Sequence, residues 1–223
     1  MCHASVGAAQ LALQQPEGIL VSLSQALRHE EEHVPQSSEQ LTAAKMMLAR
    51  AHLAAEQPKA ASTLLQDCSR HLERKHTDFK ADMRSAECQH LLAEGLLNRD
   101  RHHAALGHAW SAVSAFKDAL SQTDMRIVAS ECCAGCALHG MGRFAEAAQH
   151  HERALAICEQ QQPGDEVQAA HCHFALARAL WQLAQRVSAS QHYAAAEGVY
   201  RRVLQADDGR YGECKKRAHG QAH

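Results

Sequence analysis

The sequence has few of the residues that β-sheets and membrane spans require. It contains two tryptophans, three tyrosines, four phenylalanines and four prolines among 223 residues. No apolar run reaches the roughly 18 residues of a membrane-spanning helix. Aromatic residues favour strands, whereas the abundant alanine, leucine, glutamine and glutamate favour helices. Composition therefore predicts an all-α chain, organised as one large domain or two small ones.

The sequence also lacks an excess of charge of either sign. The formal net charge is −2 and the isoelectric point is near 6.8. The only basic cluster is the short run Lys215–Arg217 near the C-terminus. Nucleic acids and anionic membranes attract strongly basic surfaces. We therefore expect neither nucleic acid nor a membrane as a partner.

The first residues lack the basic segment and sustained apolar core of a secretory signal. The chain has nine cysteines, an odd number, and their spacing is not that of a small disulfide-rich domain. Reduced thiols are typical of intracellular proteins. We therefore expect a cytoplasmic protein in a reducing environment.

Small residues recur along the chain at intervals of 42 or 44 positions. The repeat is anchored on four alanines and, in a weaker first copy, on an isoleucine: Ile19, Ala61, Ala105, Ala147 and Ala189. Small residues also stand seven positions after each anchor, and ten and twelve positions before it. Two helices that cross closely need small side chains where they approach. The spacing therefore predicts five helix pairs, over residues 1–33, 37–75, 80–121, 125–161 and 165–205.

Turn and cap residues separate these predicted helices. Turns within the units are predicted at 57–58, 98–100 and 140–142, where Pro, Asn, Asp and Gly occur. Asp165 is the expected N-cap of the fifth unit, and Ser37 or Ser38 that of the second. Residues 206–223 are too few to build another unit, so we expect them to form a disordered tail.

Residues 128–161 resemble a tetratricopeptide repeat. The small and apolar residues that carry the resemblance are Gly135, Leu138, Gly142, Phe144, Ala147, Ala154 and Leu155. The 42-residue spacing is longer than the commonest 34, and it is similar to the adaptor repeats of kinesin light chain. The resemblance implies a right-handed α-solenoid of about five antiparallel helix pairs over residues 1–205. It also implies a non-enzymatic protein-binding module, an adaptor or a scaffold.

In that family the first helix of each unit lines a concave groove, which binds a peptide or a partner helix. The positions that match it here are Met46, Arg50, His90, Glu94, Asn98, Cys132, Cys136, His139, Phe174, Arg178 and Trp181. Phe174 and Trp181 would anchor the partner, and Arg50 or Arg178 would pair with its carboxylates. The alternative is that the two aromatic rings are buried against a sixth helix or the C-terminal tail.

Metal binding has one weak candidate set, Cys132, Cys136 and His139. These residues share one helical face, but a structural zinc needs four ligands, usually from two segments. We therefore predict no metal and no cofactor, and keep a metal- or redox-sensing repeat protein as the alternative function. His150 and His151 point about 100° apart on a helix and do not chelate together. They are expected on the outward face of a second helix, solvated or partly buried.

Catalytic motifs are missing from the sequence. It contains no glycine-rich phosphate loop after a strand, no G-x-S-x-G and no H-E-x-x-H. We therefore predict that the protein is not an enzyme and that its partner is another protein or a peptide segment. A further alternative is a structural segment, a subunit of a larger repeat assembly.

Overall fold

A computed structural model of the chain describes residues 16–33, 35, 39–73, 79–161, 165–203 and 208–219. These residues form helices and no strand. The helices are α1 Pro16–His33, α2 Glu39–Ala54, α3 Pro58–Glu73, α4 Phe79–Leu97, α5 His102–Ala119, α6 Met125–Gly140, α7 Phe144–Gln160, α8 Glu166–Gln182, α9 Arg186–Val203 and α10 Gly209–Ala218. The prediction of an all-α chain is confirmed.

The chain divides into two compact units, Met1–Ala115 and Phe116–His223. The N-terminal unit holds α1 to α4 and most of α5, and the C-terminal unit holds the end of α5 and α6 to α10. Four predicted helix pairs are described: α2–α3, α4–α5, α6–α7 and α8–α9. The first helix expected in the first unit lies outside the described residues, and only its second helix, α1, is seen.

The same turn joins the two helices of all four pairs. One residue of each turn has a left-handed backbone, with φ between 55° and 76°: Glu56, Asp100, Gly142 and Ala184. The next residue donates its N–H to the carbonyl five positions earlier, for example Gln185 to Leu180 at 3.0 Å. This bond is the signature of the Schellman motif, which satisfies the carbonyls at a helix end. Only Gly142 adopts this backbone without a steric cost.

The anchor alanines lie in the first turn of each second helix. The backbone N–H of Ala147 donates to the Arg143 carbonyl at 3.0 Å, and the same bond recurs at the other three anchors. The side chains of Ala61, Ala105, Ala147 and Ala189 are fully buried. Each anchor therefore lies at the closest approach of its two helices, which is why a small residue recurs there.

The cores of the two units have different compositions. The N-terminal core is almost entirely aliphatic, with Leu48, Leu65 and Leu92 among its buried residues. In the C-terminal unit, Tyr193 and Tyr200 are fully buried beside leucine and alanine. Because burial of apolar area stabilises both kinds of core, the same helix-pair geometry accommodates either composition.

One of the predicted caps can be compared with the structure. Asp165 accepts hydrogen bonds from the backbone N–H groups of Val167 and Gln168, at 3.1 and 3.0 Å, and caps α8 as predicted. Ser37 and Ser38 lie outside the described residues. Asp124 caps α6 in the same way, through the N–H of Arg126.

The expectation of a disordered tail needs correction, because α10 forms within residues 206–223. Asp208 caps this helix, and its residue Cys214 is fully buried. The hydroxyl of Tyr193 donates to Glu213 at 3.1 Å, and that of Ser190 donates to the Arg217 carbonyl at 3.1 Å. A helix this short is marginal in isolation. Packing against α9 therefore stabilises it, which its polar sequence did not predict.

Among the described residues, no helix is both long enough and apolar enough to cross a membrane.

Candidate partner-binding site

In the N-terminal unit, α2 and α4 border an open cavity of about 300 Å³. Three predicted groove residues line it, Arg50 from α2 and His90 and Glu94 from α4. The remaining lining comes from Leu53, Ala54 and Leu91. The structure therefore brings together side chains from two helices that are separated in sequence by all of α3.

The electrostatics of this cavity combine one exposed cation with two half-buried titratable groups. The Arg50 side chain is 51% exposed, and its guanidinium lies 3.7 Å from a Glu87 carboxylate oxygen. Burial, together with the Arg50 charge, lowers the pKa of His90 to about 4, so its imidazole is neutral at pH 7. Burial raises the pKa of Glu94, while Arg50 opposes that change. An exposed guanidinium beside a neutral imidazole is suited to binding a carboxylate.

Two predicted groove residues of the same unit lie elsewhere. Met46 is buried in the aliphatic core, packed among residues such as Ala49 and Leu65. The family register placed it in the groove, but an unbranched apolar side chain gains more by filling the core. Asn98 is exposed in the turn after α4, where its N–H donates to the Glu94 carbonyl.

In the C-terminal unit, Trp181 lies between two guanidinium groups. Arg186 stands 4.0 Å from the ring centroid and Arg217, from α10, stands 4.2 Å from it. Arg217 is itself held by Glu213 at 3.1 Å. Cation–π contacts of this kind are short and favourable. Trp181 therefore packs against the C-terminal segment, as the alternative prediction had it, and is not a free anchor for a partner.

Phe174 is also engaged within its own unit, whereas Arg178 is exposed. The Phe174 ring makes edge contacts with Tyr193 and Tyr200, at centroid distances of 6.0 and 6.2 Å. The Arg178 guanidinium lies 5.8 Å from the Phe174 ring, and its side chain is open to solvent. Of the three groove positions predicted on α8, Arg178 is the one best placed to contact a partner.

The metal candidates Cys132, Cys136 and His139 do not converge on one point. The Cys132 sulfur lies 3.5 Å from the sulfur of Cys172, and the His139 ring packs against Phe144. Cys136 is exposed. Within the described ranges, no group of three or more histidine, cysteine or acidic side chains is arranged to hold a metal ion.

His150 and His151 are buried, which corrects the expectation of solvated or partly buried surface histidines. His150 Nδ1 lies 2.6 Å from Glu131, and the Lys117 ammonium lies 2.6 Å from the other oxygen of that carboxylate. Burial alone would raise the pKa of Glu131, but its hydrogen bonds to His150 and Lys117 lower it to about 2. The network therefore holds a charged carboxylate inside the unit.

His151 packs directly over Gly135 of α6. A Cβ atom at position 135 would lie 2.5 Å from the imidazole ring, so the close approach requires glycine. Burial lowers the pKa of His151 to about 3. The sequence analysis missed the roles of both Glu131 and His151. The one available signal was the glycine at position 135, where the neighbouring repeats have alanine.

Comparisons with known proteins agree with the helix-pair description. The tetratricopeptide repeat family model matches residues 127–205. Among curated proteins, no sequence matches the chain.

Several solved structures share the fold at low sequence identity. A putative kinesin light chain of Podosopora anserina with nearly identical TPR-like repeats is 18% identical, with a TM-score of 0.70; the match covers 92% of this chain and 96% of that one. Apo RapI is 12% identical, with a TM-score of 0.70, and the match covers 96% of this chain and 56% of RapI. A Rap protein complexed with Competence and Sporulation Factor is 16% identical, with a TM-score of 0.73, and the match covers 98% of this chain and 63% of that protein.

Proposed function

We propose that this chain, a member of the tetratricopeptide repeat family, is a non-enzymatic module that binds a peptide or a helix of a partner protein. The family match over residues 127–205 supports the proposal, because stacked helical repeats present extended surfaces to other proteins. One structural neighbour is a Rap protein complexed with Competence and Sporulation Factor. Adaptor or scaffold is the role that fits such a module. Location in the cytoplasm stays a prediction.

The observation that carries the proposal is the shared cavity of Arg50, His90 and Glu94. Half of the Arg50 side chain is exposed, and its contact with Glu87 is long for an ion pair. A partner carboxylate can therefore compete for the guanidinium, since an exposed ion pair of this kind contributes little.

Arg178 is the second proposed contact, in the C-terminal unit. Its side chain is exposed on α8, and a carboxylate of the partner would pair with it as with Arg50. Trp181 and Phe174 are not proposed as anchors, because Arg217 covers the first ring and two tyrosines flank the second.

The test uses random 12-residue peptides displayed on phage and selected on the purified full chain. Selected peptides are synthesised and titrated against the wild type and against Arg50→Glu. We expect enrichment of Asp and Glu, and about tenfold or greater weakening by the charge reversal.

A matched control is Lys59→Glu, which makes the same charge change at an exposed position of α3 in the same unit. This variant should bind the selected peptides as the wild type does. Equal weakening by both variants would show a general charge effect and contradict the cavity as the site. Binding that neither variant changes would also contradict it.

A further inference from the structure

Two cysteines from different helices of the C-terminal unit lie in contact. The sulfur of Cys132, on α6, is 3.5 Å from that of Cys172, on α8, and both cysteines are free. The sulfurs of a disulfide are about 2.05 Å apart, so these two need to move about 1.5 Å closer to bond. We propose that Cys132 and Cys172 form a reversible disulfide under oxidation by a hydroperoxide, and that this pair is a redox modification site.

The two thiols differ in their access to solvent. Cys132 is partly exposed, whereas Cys172 is fully buried. Oxidation follows access and thiolate character. Cys132 is therefore the sulfur that a hydroperoxide in solution reaches, and Cys172 is the sulfur that resolves the oxidised product.

The reaction balances with hydrogen peroxide as the oxidant. The Cys132 thiolate attacks one peroxide oxygen, so that the S–O bond forms, the O–O bond breaks and hydroxide leaves. The Cys172 sulfur then gives up its proton and attacks the Cys132 sulfur; the S–S bond forms, the S–O bond breaks and water leaves. Two thiols are oxidised in total, and one peroxide is reduced to two waters. A dithiol reverses the change by thiol–disulfide exchange.

A third thiol, Cys158 on α7, also contacts Cys172. Hydrogen bonding to Cys132 raises the pKa of the Cys172 thiol; the hydrogen bond with Cys158 opposes this change and burial adds to it, so that the pKa is raised overall. Hydrogen bonding to Cys172 and burial likewise raise the pKa of Cys158. The resolving sulfur is therefore protonated at neutral pH and loses its proton as it attacks the Cys132 sulfenic acid.

The disulfide would connect the first helices of two successive repeats. Cys136 lies one helical turn beyond Cys132, and Arg178 lies on α8 with Cys172; the side chains of Cys136 and Arg178 are exposed. A covalent bond between α6 and α8 would restrict the movement of these helices against each other. Oxidation would therefore stiffen the face that carries Arg178.

The experiment treats the reduced full chain with hydrogen peroxide, alkylates the remaining thiols and maps the peptides by mass spectrometry without reduction. We expect one linked peptide pair containing Cys132 and Cys172, with the loss of two hydrogen atoms and recovery by dithiothreitol. The Tm should rise by about 5 °C, because the bond constrains the unfolded chain.

Two variants separate the pair from the other thiols. Cys172→Ala should form no linked peptide and should accumulate a Cys132 sulfenic acid that dimedone traps. Cys136→Ser should still form the Cys132–Cys172 link. Failure of the wild type to form any link would overturn the proposal. A link from Cys158 to Cys172, or equal dimedone labelling of Cys132 in the wild type and Cys172→Ala, would overturn it as well.

Discussion

In the N-terminal unit the first helices α2 and α4 leave a cavity beside Arg50, whereas in the C-terminal unit Trp181 of α8 is held between two guanidinium groups. Trp181 occupies the same repeat position as Leu53, eight residues before the anchor. The two units therefore use equivalent positions in opposite ways. The position in the repeat does not decide whether a side chain contacts a partner, since a neighbouring helix can cover it first.

The interiors of the two units also differ, in how many polar side chains they bury. The C-terminal unit encloses the carboxylate of Glu131 and the ring of His151, whereas the core clusters of the N-terminal unit are apolar. Apart from Ile19, both units have alanine at the anchor positions. The small residues set how closely the helices approach, and the remaining core positions are free to differ as long as their volume is filled.

The largest expected effect tests what the units have in common. Ala147→Leu and Ala61→Leu each insert a bulky side chain at a fully buried anchor. Overpacking should lower the free energy of unfolding by up to about 3 kcal/mol in either unit, measured by urea denaturation. A neutral result at Ala61 with a large loss at Ala147 would contradict an equivalent packing role for the two anchors.

The next effect tests the packing that is special to the C-terminal unit. Gly135→Ala places a methyl group 2.5 Å from the buried His151 ring, and we expect a loss of about 2 kcal/mol in unfolding free energy. The control is Gly95→Ala in α4, whose Cβ would meet Leu53 at 3.3 Å. Its contact strain and its gain in helix propensity should cancel to within about 0.5 kcal/mol. Similar losses for both variants would contradict the special role of His151.

Acid should destabilise both units through buried histidines. The pKa of His151 is lowered to about 3 and that of His90 to about 4, whereas an unfolded histidine titrates near pH 6.5. As pH falls below about 6.5 the unfolded chain binds protons that these sites do not, so stability decreases until the pH reaches the folded pKa values. Each site contributes about 1.4 kcal/mol per pH unit in that window.

Single variants isolate these contributions. His151→Asn and His90→Asn should each flatten the dependence of unfolding free energy on pH between about 4 and 6, measured by denaturation at several pH values. A ligand carboxylate bound beside His90 should raise its pKa and reduce only the contribution of that residue. If His151→Asn leaves the slope of unfolding free energy against pH unchanged, His151 binds a proton equally well in the folded and unfolded protein, and its pKa is not lowered.

The smallest effects concern the left-handed turn residues. Gly142→Ala should cost about 1 kcal/mol of unfolding free energy, because the φ of 76° disfavours a side chain. Ala184→Gly, at the same repeat position, should gain up to about 0.5 kcal/mol, since relief of strain is partly offset by the entropy of the unfolded glycine. Thermal melts of the pair provide the measurement. Destabilisation by Ala184→Gly would contradict the relief of strain.

The helix pairs α2–α3, α4–α5, α6–α7 and α8–α9 begin and end within a few residues of the ranges that the periodicity predicts. Asp165 caps α8 as predicted, because capping depends on a few neighbouring residues. The register predicted Arg50, His90 and Glu94 on one face, and the cavity brings them together. The same register wrongly predicted Met46 in the groove, because repeat spacing alone does not show how far the core extends around the helix. Met46 is buried in that core.

The remaining features depend on contacts between distant segments. α10 has too few apolar residues to predict a packed helix. Its position depends on contacts with α8 and α9, such as Arg217 over Trp181 and the Ser190 hydroxyl on the Arg217 carbonyl. The ion network of Glu131 joins three helices. Taken one at a time, these charged residues would be predicted on the surface, because charged side chains are seldom fully buried.

The sequence by itself determined the helices, their pairing and the positions where they pack closely, because those features follow from local periodicity, capping and the need for small residues at crossings. The tertiary structure decided which side chains remain available to a partner. Arg50 borders an open cavity, Trp181 is covered by α10, and Cys132 lies against Cys172. The physical reason is that exposure and thiol proximity depend on how separate helices pack, which a repeat spacing does not encode.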